Sequence, residues 1–356
     1  MKETTFEPDY HNIVCAAENK KSSRIPLYEH CVSPRIMETL QGSKFADLFN
    51  GNYQDKVEFF RHFCGFYRDN GYDTVSYECC VVPIMPGGGA LGGALGRQEE
   101  GVIKTRSDFD AYPWEAIPER FFEIFRINYR ALEEAMPQGM KAIGGVGNGV
   151  FECVQDLVGF QQLCYISADD KDLYADLFIR VGDMMVQIWE RFLAEFGDLF
   201  CVCRTGDDLG FKTSTLLSAG DIRSHIIPQY KRVVDIAHSH GKPFLLHSCG
   251  CIFSVMDDLI NDAHIDAKHS NEDVISPYSR WIDDYGAKIG NFGGLDTDVL
   301  CNSNTVDVVQ YTSDVYRLCE SKGRGVAIGS GNSIPDYVDP GRYSLMLDTV
   351  RRLRGN

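Results

Sequence analysis

The sequence predicts an α/β fold, a parallel (β/α)8 TIM barrel with an N-terminal cap segment. Three observations predict it. The chain has 356 residues, enough for one barrel with an extension and too many for a single small sandwich. Short apolar runs alternate with longer stretches of helical period, the cadence of strands covered on both faces. Seven such runs are visible, which fits eight strands with one missed better than an open doubly wound sheet.

The strand-like runs are 74–80, 142–145, 199–203, 243–247, 265–269, 288–292 and 325–328, each apolar or β-branched. Between them, apolar residues recur at helical spacing. Val57, Phe60, Cys64 and Tyr67 form one stripe, and Phe121, Phe125, Tyr129 and Leu132 a second. The longest runs from Leu173 through Leu177, Val181, Met184 and Ile188 to Phe192, and shorter ones include Val233 to Ala237 and Val308 to Leu318. Residues 1–50 read as an irregular or helical cap and 51–356 as the barrel, one domain overall.

Composition narrows the partners. A formal net charge of −16 with no clustered Lys and Arg argues against nucleic acid. No apolar stretch is long enough to span a bilayer, and the start, Met1-Lys2-Glu3-Thr4-Thr5, lacks the apolar core of a signal peptide. The expected location is the cytoplasm, with no membrane association. The 13 cysteines sit mostly in apolar runs of a large chain, the pattern of reduced thiols rather than of a disulfide framework.

In a parallel barrel the chemistry sits where strands end, so polar residues closing apolar runs are the first candidates. Three ends stand out: Thr205-Gly206-Asp207-Asp208, His247-Ser248-Cys249-Gly250-Cys251 and His269-Ser270-Asn271-Glu272-Asp273. His247 and Cys249, two apart at a strand end, can turn an imidazole and a thiolate toward one ion, for which zinc is the natural candidate. The alternative is a histidine bonded to backbone beside small packed cysteines. Asp207 and Asp208 are candidates for a ligand, an orienting partner of His247 or a general acid/base, or one of them caps the next helix. Adjacent carboxylates repel, so only one of them is expected to face the centre. His269 and Glu272 are further candidates to complete a tetrahedral site.

The stretch Gly87-Gly88-Gly89-Ala90-Leu91-Gly92 matches G-x-G-x-x-G, yet Pro83 and Pro86 separate it from the preceding strand. A dinucleotide fingerprint opens a helix directly after its strand, so a mobile loop is the better reading. No P-loop, G-x-S-x-G or H-E-x-x-H pattern occurs.

The stretch from Asp208 to Gly250, with Leu217-Ser218, Pro228-Gln229-Tyr230-Lys231 and Leu246-His247-Ser248-Cys249-Gly250, resembles the uroporphyrinogen decarboxylase superfamily. Gly159-Phe160, the Gly293-Gly294-Leu295-Asp296 run and Ile334-Pro335-Asp336 support the likeness, which extends from about Arg24 to the end. The zinc- and corrinoid-linked methyltransferase branch, typified by methylcobamide:coenzyme M methyltransferases, is the closer one. That branch binds zinc through an H-x-C pair, matched by His247 and Cys249, and a later Cys near the final strand. Here that later position reads Gly329-Ser330-Gly331. Either Ser330 has dropped out and Asp208, His269 or Glu272 replaces it, or metal is bound weakly or not at all.

Decarboxylase members carry R-x-P-x-W-x-M-R-Q-A-G-R, whose arginines hold substrate carboxylates. The corresponding stretch, Arg24 to Arg35, has Cys31 in place of the inner arginine and adds Glu29, which argues against a porphyrinogen substrate. The resemblance therefore implies methyl transfer between a small methylated substrate or thiol acceptor and a corrinoid carried by a separate protein, since no D-x-H-x-x-G motif is present. Asp208 or Asp207 would orient the site or supply a proton, and Glu78, Arg35 and Asn332 would contact substrate. A homodimer is compatible with this reading. Two alternatives stand beside it: a metal-free decarboxylase of a tetrapyrrole or polycarboxylate, and a non-catalytic binding protein that keeps the barrel.

Overall fold

The computed structural model describes residues 6–88, 101–302 and 304–355. Among the described residues, seven parallel strands lie in chain order in one TIM-barrel-like sheet with helices between them. They are β1 (Thr74–Cys80), β2 (Lys141–Gly147), β3 (Phe200–Gly206), β4 (Phe244–His247), β5 (Ala267–His269), β6 (Gly290–Leu295) and β7 (Val326–Ser330). Each overlaps a run expected from the sequence. The glycine-rich segment beyond Gly88 and up to residue 100 lies outside the described residues.

The sheet curls. Ile143, Val202, Leu245, Ala267, Phe292 and Ala327, contributed by β2 to β7, gather in one small buried cluster with Ile13, Ala16 and Ala17. Those last three come from the helix His11–Ala17, which packs against β3, β6 and β7. A larger cluster lies between the outer face of the sheet and the helices. Its main contributor is the helix Lys171–Phe196, which buries Leu177, Val181, Met184, Ile188 and Phe192. Burial of side chains of this size contributes about 1.5–3 kcal/mol each.

Glycine is required where this helix meets β2. A Cβ on Gly145, whose φ is +118°, would lie 2.8 Å from Phe192 and 3.1 Å from Trp189. Any side chain there would push the helix off the sheet.

An extended stretch around Leu27 to Val32 lies between the two ends of the sheet. Leu27 forms a parallel bridge with Ile328 and Val32 with Ile334, while Ile328 donates its N–H to Pro26 and accepts from that of Tyr28. On the other side the Ser76 hydroxyl of β1 donates to the His30 carbonyl at 2.9 Å. Glu29, 1% exposed, secures this stretch to β7: its carboxyl accepts from the Ser330 N–H at 3.1 Å and binds the Ser330 hydroxyl. The expectation that Glu29 adds negative charge to a substrate pocket is corrected, because the side chain is buried under β7.

Burial pushes the Glu29 pKa from 4.5 up to about 8, with the Ser330 and Tyr72 hydrogen bonds opposing that rise. A carboxyl whose folded pKa is raised binds an extra proton in the native state, so its stabilising contribution is present below pH 4.5 and lost as pH climbs toward 8. Glu29→Gln keeps the shape without the titration. Urea denaturation at a series of pH values from 4.5 to 8 is expected to show wild-type stability falling relative to the variant; parallel curves would mean that Glu29 is ionised throughout.

Candidate metal and substrate site

The site forms where β3, β4, β5 and β7 end. His247 closes β4 and His269 closes β5, and the two are register partners in a parallel ladder. Partners on adjacent strands point to the same face, about 4.8 Å apart. Both rings are buried. Their Nδ1 atoms approach to 2.7 Å, and His269 Nε2 lies 3.0 Å from the Ser330 carbonyl at the end of β7.

This chain of contacts fixes the tautomers. A carbonyl only accepts, so His269 donates from Nε2 and keeps its lone pair on Nδ1. That lone pair accepts the Nδ1–H of His247. His247 is left with its lone pair on Nε2, the atom facing Cys249 Sγ at 3.5 Å and Asp208 Oδ1 at 4.0 Å. Both rings are held neutral: burial pushes His269 down to about 3 and His247 well below the usual imidazole range, where the neighbouring His269 and Arg204 act in the same direction.

Cys249 is equally constrained. Ser270 Oγ and Asn332 Nδ2 both donate to its sulfur, at 3.6 and 3.4 Å. Burial raises the thiol's pKa, and the Asp208 carboxylate raises it further. Asp208 Oδ1 accepts the Cys249 N–H at 2.9 Å, so the backbone turn holds the carboxylate beside the sulfur.

Two groups among the described residues bring ligand atoms within 4.8 Å of one another: Asp208, His247 and Cys249, and His30, His247 and His269. The histidine trio fails on direction. His30 stacks on His247 with centroids 3.7 Å apart and planes inclined by 14°, so their in-plane lone pairs run side by side rather than converging. His247 Nδ1 is also committed to His269. The Asp208, His247 and Cys249 set fits a zinc ion: with bonds of about 2.0 Å to nitrogen and 2.3 Å to sulfur, tetrahedral ligands stand about 3.5 Å apart, the separation found for the N and S atoms. Three such ligands would leave a fourth position for substrate.

A second cluster lies under His30. Arg204, 1% exposed on β3, donates from Nε and Nη2 to Glu78 Oε2 at 3.1 and 2.8 Å, and from Nη1 to Tyr28 Oη and the His30 carbonyl at 3.0 Å each. Burial works against its charge, and the Glu78 carboxylate outweighs that by holding the guanidinium protonated. Because both donors take the same oxygen, Glu78 Oε1 accepts no hydrogen bond among the described residues and lies 4.0 Å from His30 Nε2. His30 Nδ1 is buried with no hydrogen-bond partner among the described residues.

The candidates from the sequence separate accordingly. Asp208, His247, Cys249 and Asn332 meet at one point. His269 orients His247 instead of joining the ligand set. Ser330 is no ligand, because its hydroxyl is turned to Glu29 and only its carbonyl serves the site. Asp207 turns away: its carboxylate caps the helix Val150–Val158 through the N–H groups of Phe151 and Glu152 at 2.9 and 2.8 Å, and it accepts from the Tyr230 hydroxyl. Gly149 makes room, since a Cβ there would lie 2.2 Å from that of Asp207. Arg35 is 79% exposed and paired with Asp336, away from the cluster. Glu78 sits on the Arg204 side, and Glu272 lines a neighbouring cavity.

Sequence reasoning missed His30, Arg204 and Lys268. The last two had a signal, a cation inside an apolar strand run. Lys268 is buried with Nζ 3.7 Å from the Trp281 ring centre, donates to the Ser270 carbonyl, and is pushed by burial down to about 7. His30 had none, since its segment shows no strand period.

No protein-family model matches the chain, and no curated protein matches it. Among solved structures, a methyltransferase from Methanosarcina mazei is similar in fold, with a TM-score of 0.68 at 12% identity over 98% of this chain and 99% of that one. A glycoside hydrolase family 5 enzyme from Prevotella bryantii aligns with a TM-score of 0.43 at 10% identity, over 97% of this chain and 98% of that one. For 3-keto-D-glucoside 4-epimerase from E. coli the TM-score is 0.36 at 15% identity, over 92% and 98%.

The tautomer chain can be read directly. Long-range ¹H–¹⁵N spectra of histidine-labelled protein are expected to show His247 as the Nδ1–H form, His269 as the Nε2–H form, and both neutral at pH 6. A doubly protonated His269 at that pH would break the chain.

Proposed function

We propose that this chain is a zinc-dependent methyltransferase that moves a methyl group between a small methylated substrate or thiol and a corrinoid carried by a separate protein. It would do so as a closed (β/α)8 barrel of the uroporphyrinogen decarboxylase superfamily. The Leu27–Val32 stretch would stand as eighth strand, within an N-terminal segment that caps the barrel. The observation that carries the reading is the Ser330, His269, His247 chain, which leaves one imidazole lone pair aimed at Cys249 and Asp208. The fold shared with the Methanosarcina mazei methyltransferase supports it.

Bound at Asp208, His247 and Cys249, zinc would supply Lewis acidity that favours a substrate thiolate or polarises a methoxy or amine leaving group. The chain's own residues do the rest. Ser270 and Asn332 donate to the Cys249 sulfur and stabilise its anionic form. His269 keeps His247 in one tautomer and orientation. Glu78, with Oε2 taken by Arg204, offers Oε1 to a donor on the substrate. For a thiol acceptor, the partner protein's corrinoid would supply the methyl group without its bonding electrons, and the substrate thiol would release its proton to solvent. A polycarboxylate substrate fits less well, because Arg204 is committed to Glu78, Tyr28 and His30 and Arg35 points outward.

Elemental analysis of untagged protein is expected to give one zinc per chain, lost in His247→Ala and Cys249→Ser and reduced in Asp208→Ala. His269→Phe should weaken zinc binding by about 10–100-fold with the fold unchanged. Loss of methylcobalamin absorbance in the presence of small thiols should fall with zinc content across the same series, while Arg35→Ala behaves as wild type. A metal-free wild type that cannot be refilled would end this reading.

A further inference from the structure

Glu78 Oε1 and His30 Nε2 face one another across 4.0 Å, too far for a hydrogen bond and near enough for one small group to reach both at about 2.8 Å. Neither atom has a hydrogen-bond partner among the described residues, and the two side chains keep 17% and 12% exposure. The buried unpartnered atoms include His30 Nδ1 but neither of these two, so both are accessible. Glycine keeps the space beside them. Gly147 ends β2 next to Oε1, where a Cβ would stand 3.1 Å from that oxygen. Gly206 ends β3 next to the imidazole, where a Cβ would stand 4.0 Å from Nε2 and 3.6 Å from His247 Cδ2.

The two atoms ask different things of a ligand. Glu78 Oε2 takes both Arg204 donors, so the guanidinium offsets the carboxylate's charge while Oε1 keeps its capacity to accept. His30 Nδ1 meets no acceptor among the described residues and Nε2 faces a carboxylate, so the ring hydrogen belongs on Nε2. One side of the gap accepts and the other donates. An ammonium would satisfy Oε1 but set N–H against N–H at His30, and would add a charge where Arg204 has already supplied one. A carboxylate or sulfonate would accept from His30 but set oxygen against oxygen at Glu78. A hydroxyl donates to one side, accepts from the other and brings no charge.

We infer that the gap between Glu78 Oε1 and His30 Nε2 seats an uncharged hydroxyl of the substrate, so that the molecule handled here is a small hydroxyalkyl thiol or its methylated counterpart. The sulfur rests on the methyl-transfer reading, whereas the hydroxyl rests on the gap alone. His30 lies flat on His247 with ring centroids 3.7 Å apart, which places the gap beside the imidazole that offers Nε2 to a metal. That proximity suits a short link between hydroxyl and sulfur.

Calorimetric titration of the full chain with 2-mercaptoethanol, 1-propanethiol, cysteamine and 2-mercaptoethanesulfonate tests the inference without relying on turnover, because all four share the thiol and differ at the far end. The hydroxyl compound is expected to bind at least about tenfold more tightly than each of the others. It should also shift the ¹H–¹⁵N signal of His30 Nε2–H, which 1-propanethiol leaves in place. His30→Phe, which keeps a ring against His247 and loses the donor, should abolish the preference over 1-propanethiol. Gly206→Val, which fills the space beside Nε2, should weaken 2-mercaptoethanol with Glu78 and His30 intact. Equal binding of 2-mercaptoethanol and 1-propanethiol, tighter binding of either charged thiol, binding of none by protein with native circular dichroism, or an unchanged preference in folded His30→Phe overturns the inference. A hydroxyl preference without methyl transfer from methylcobalamin would sustain it and end the transfer reading; transfer to all four thiols alike would do the reverse.

Discussion

The site depends on the register between β4 and β5. Because Leu245 pairs with Ala267 and His247 with His269, two imidazoles stand at one level on the inner face, close enough for one to constrain the other. A one-residue slip would send one ring to the outer face and put Lys268, a buried cation, in its place. The Ser330 carbonyl then selects the tautomer from the far side of the sheet. Three strands thus settle which nitrogen of His247 carries a lone pair, before any ligand is considered.

Arg204 imposes a second constraint. A guanidinium with 1% exposure is tolerable only if its donors are matched, and its partners come from two separate parts of the chain: Glu78 on β1, and Tyr28 and the His30 carbonyl on the N-terminal stretch. Removing one partner of such a group leaves an uncompensated buried charge, at a cost of about 3–5 kcal/mol. The N-terminal stretch is therefore held between β1 and β7 by electrostatics as well as by its two backbone bridges. Its His30 ring is delivered onto His247 as a result.

The seven strands were legible because each is a short apolar run between helical stripes, and the H-x-C pair was legible because two ligand-type residues close one run. The rest depends on contacts between segments far apart in sequence. That Asp208 faces the site and Asp207 the helix Val150–Val158 turns on which carboxylate finds two free N–H groups, and nothing in the Asp-Asp pair itself encodes that. His30 escaped notice because the stretch around it is ordered by β1 and β7 rather than by its own pattern. Ser330 was weighed as a ligand by position, yet its hydroxyl is claimed by Glu29, 301 residues away in the chain.

That last contact explains how the β7 end can serve the site without contributing a ligand side chain. With the Ser330 hydroxyl and N–H turned to Glu29, its carbonyl is the group left facing His269. The strand end contributes an acceptor to the imidazole chain, and Asp208 at the end of β3 stands beside His247 and Cys249 instead. A carboxylate is a harder donor than a thiolate and leaves less negative charge on a bound cation, so a set of one sulfur, one nitrogen and one oxygen would keep zinc more electrophilic than a set with two thiolates. The clamp between Glu29 and Ser330 would thus bear on the electronic character of a metal held there, and it also ties the N-terminal stretch to β7.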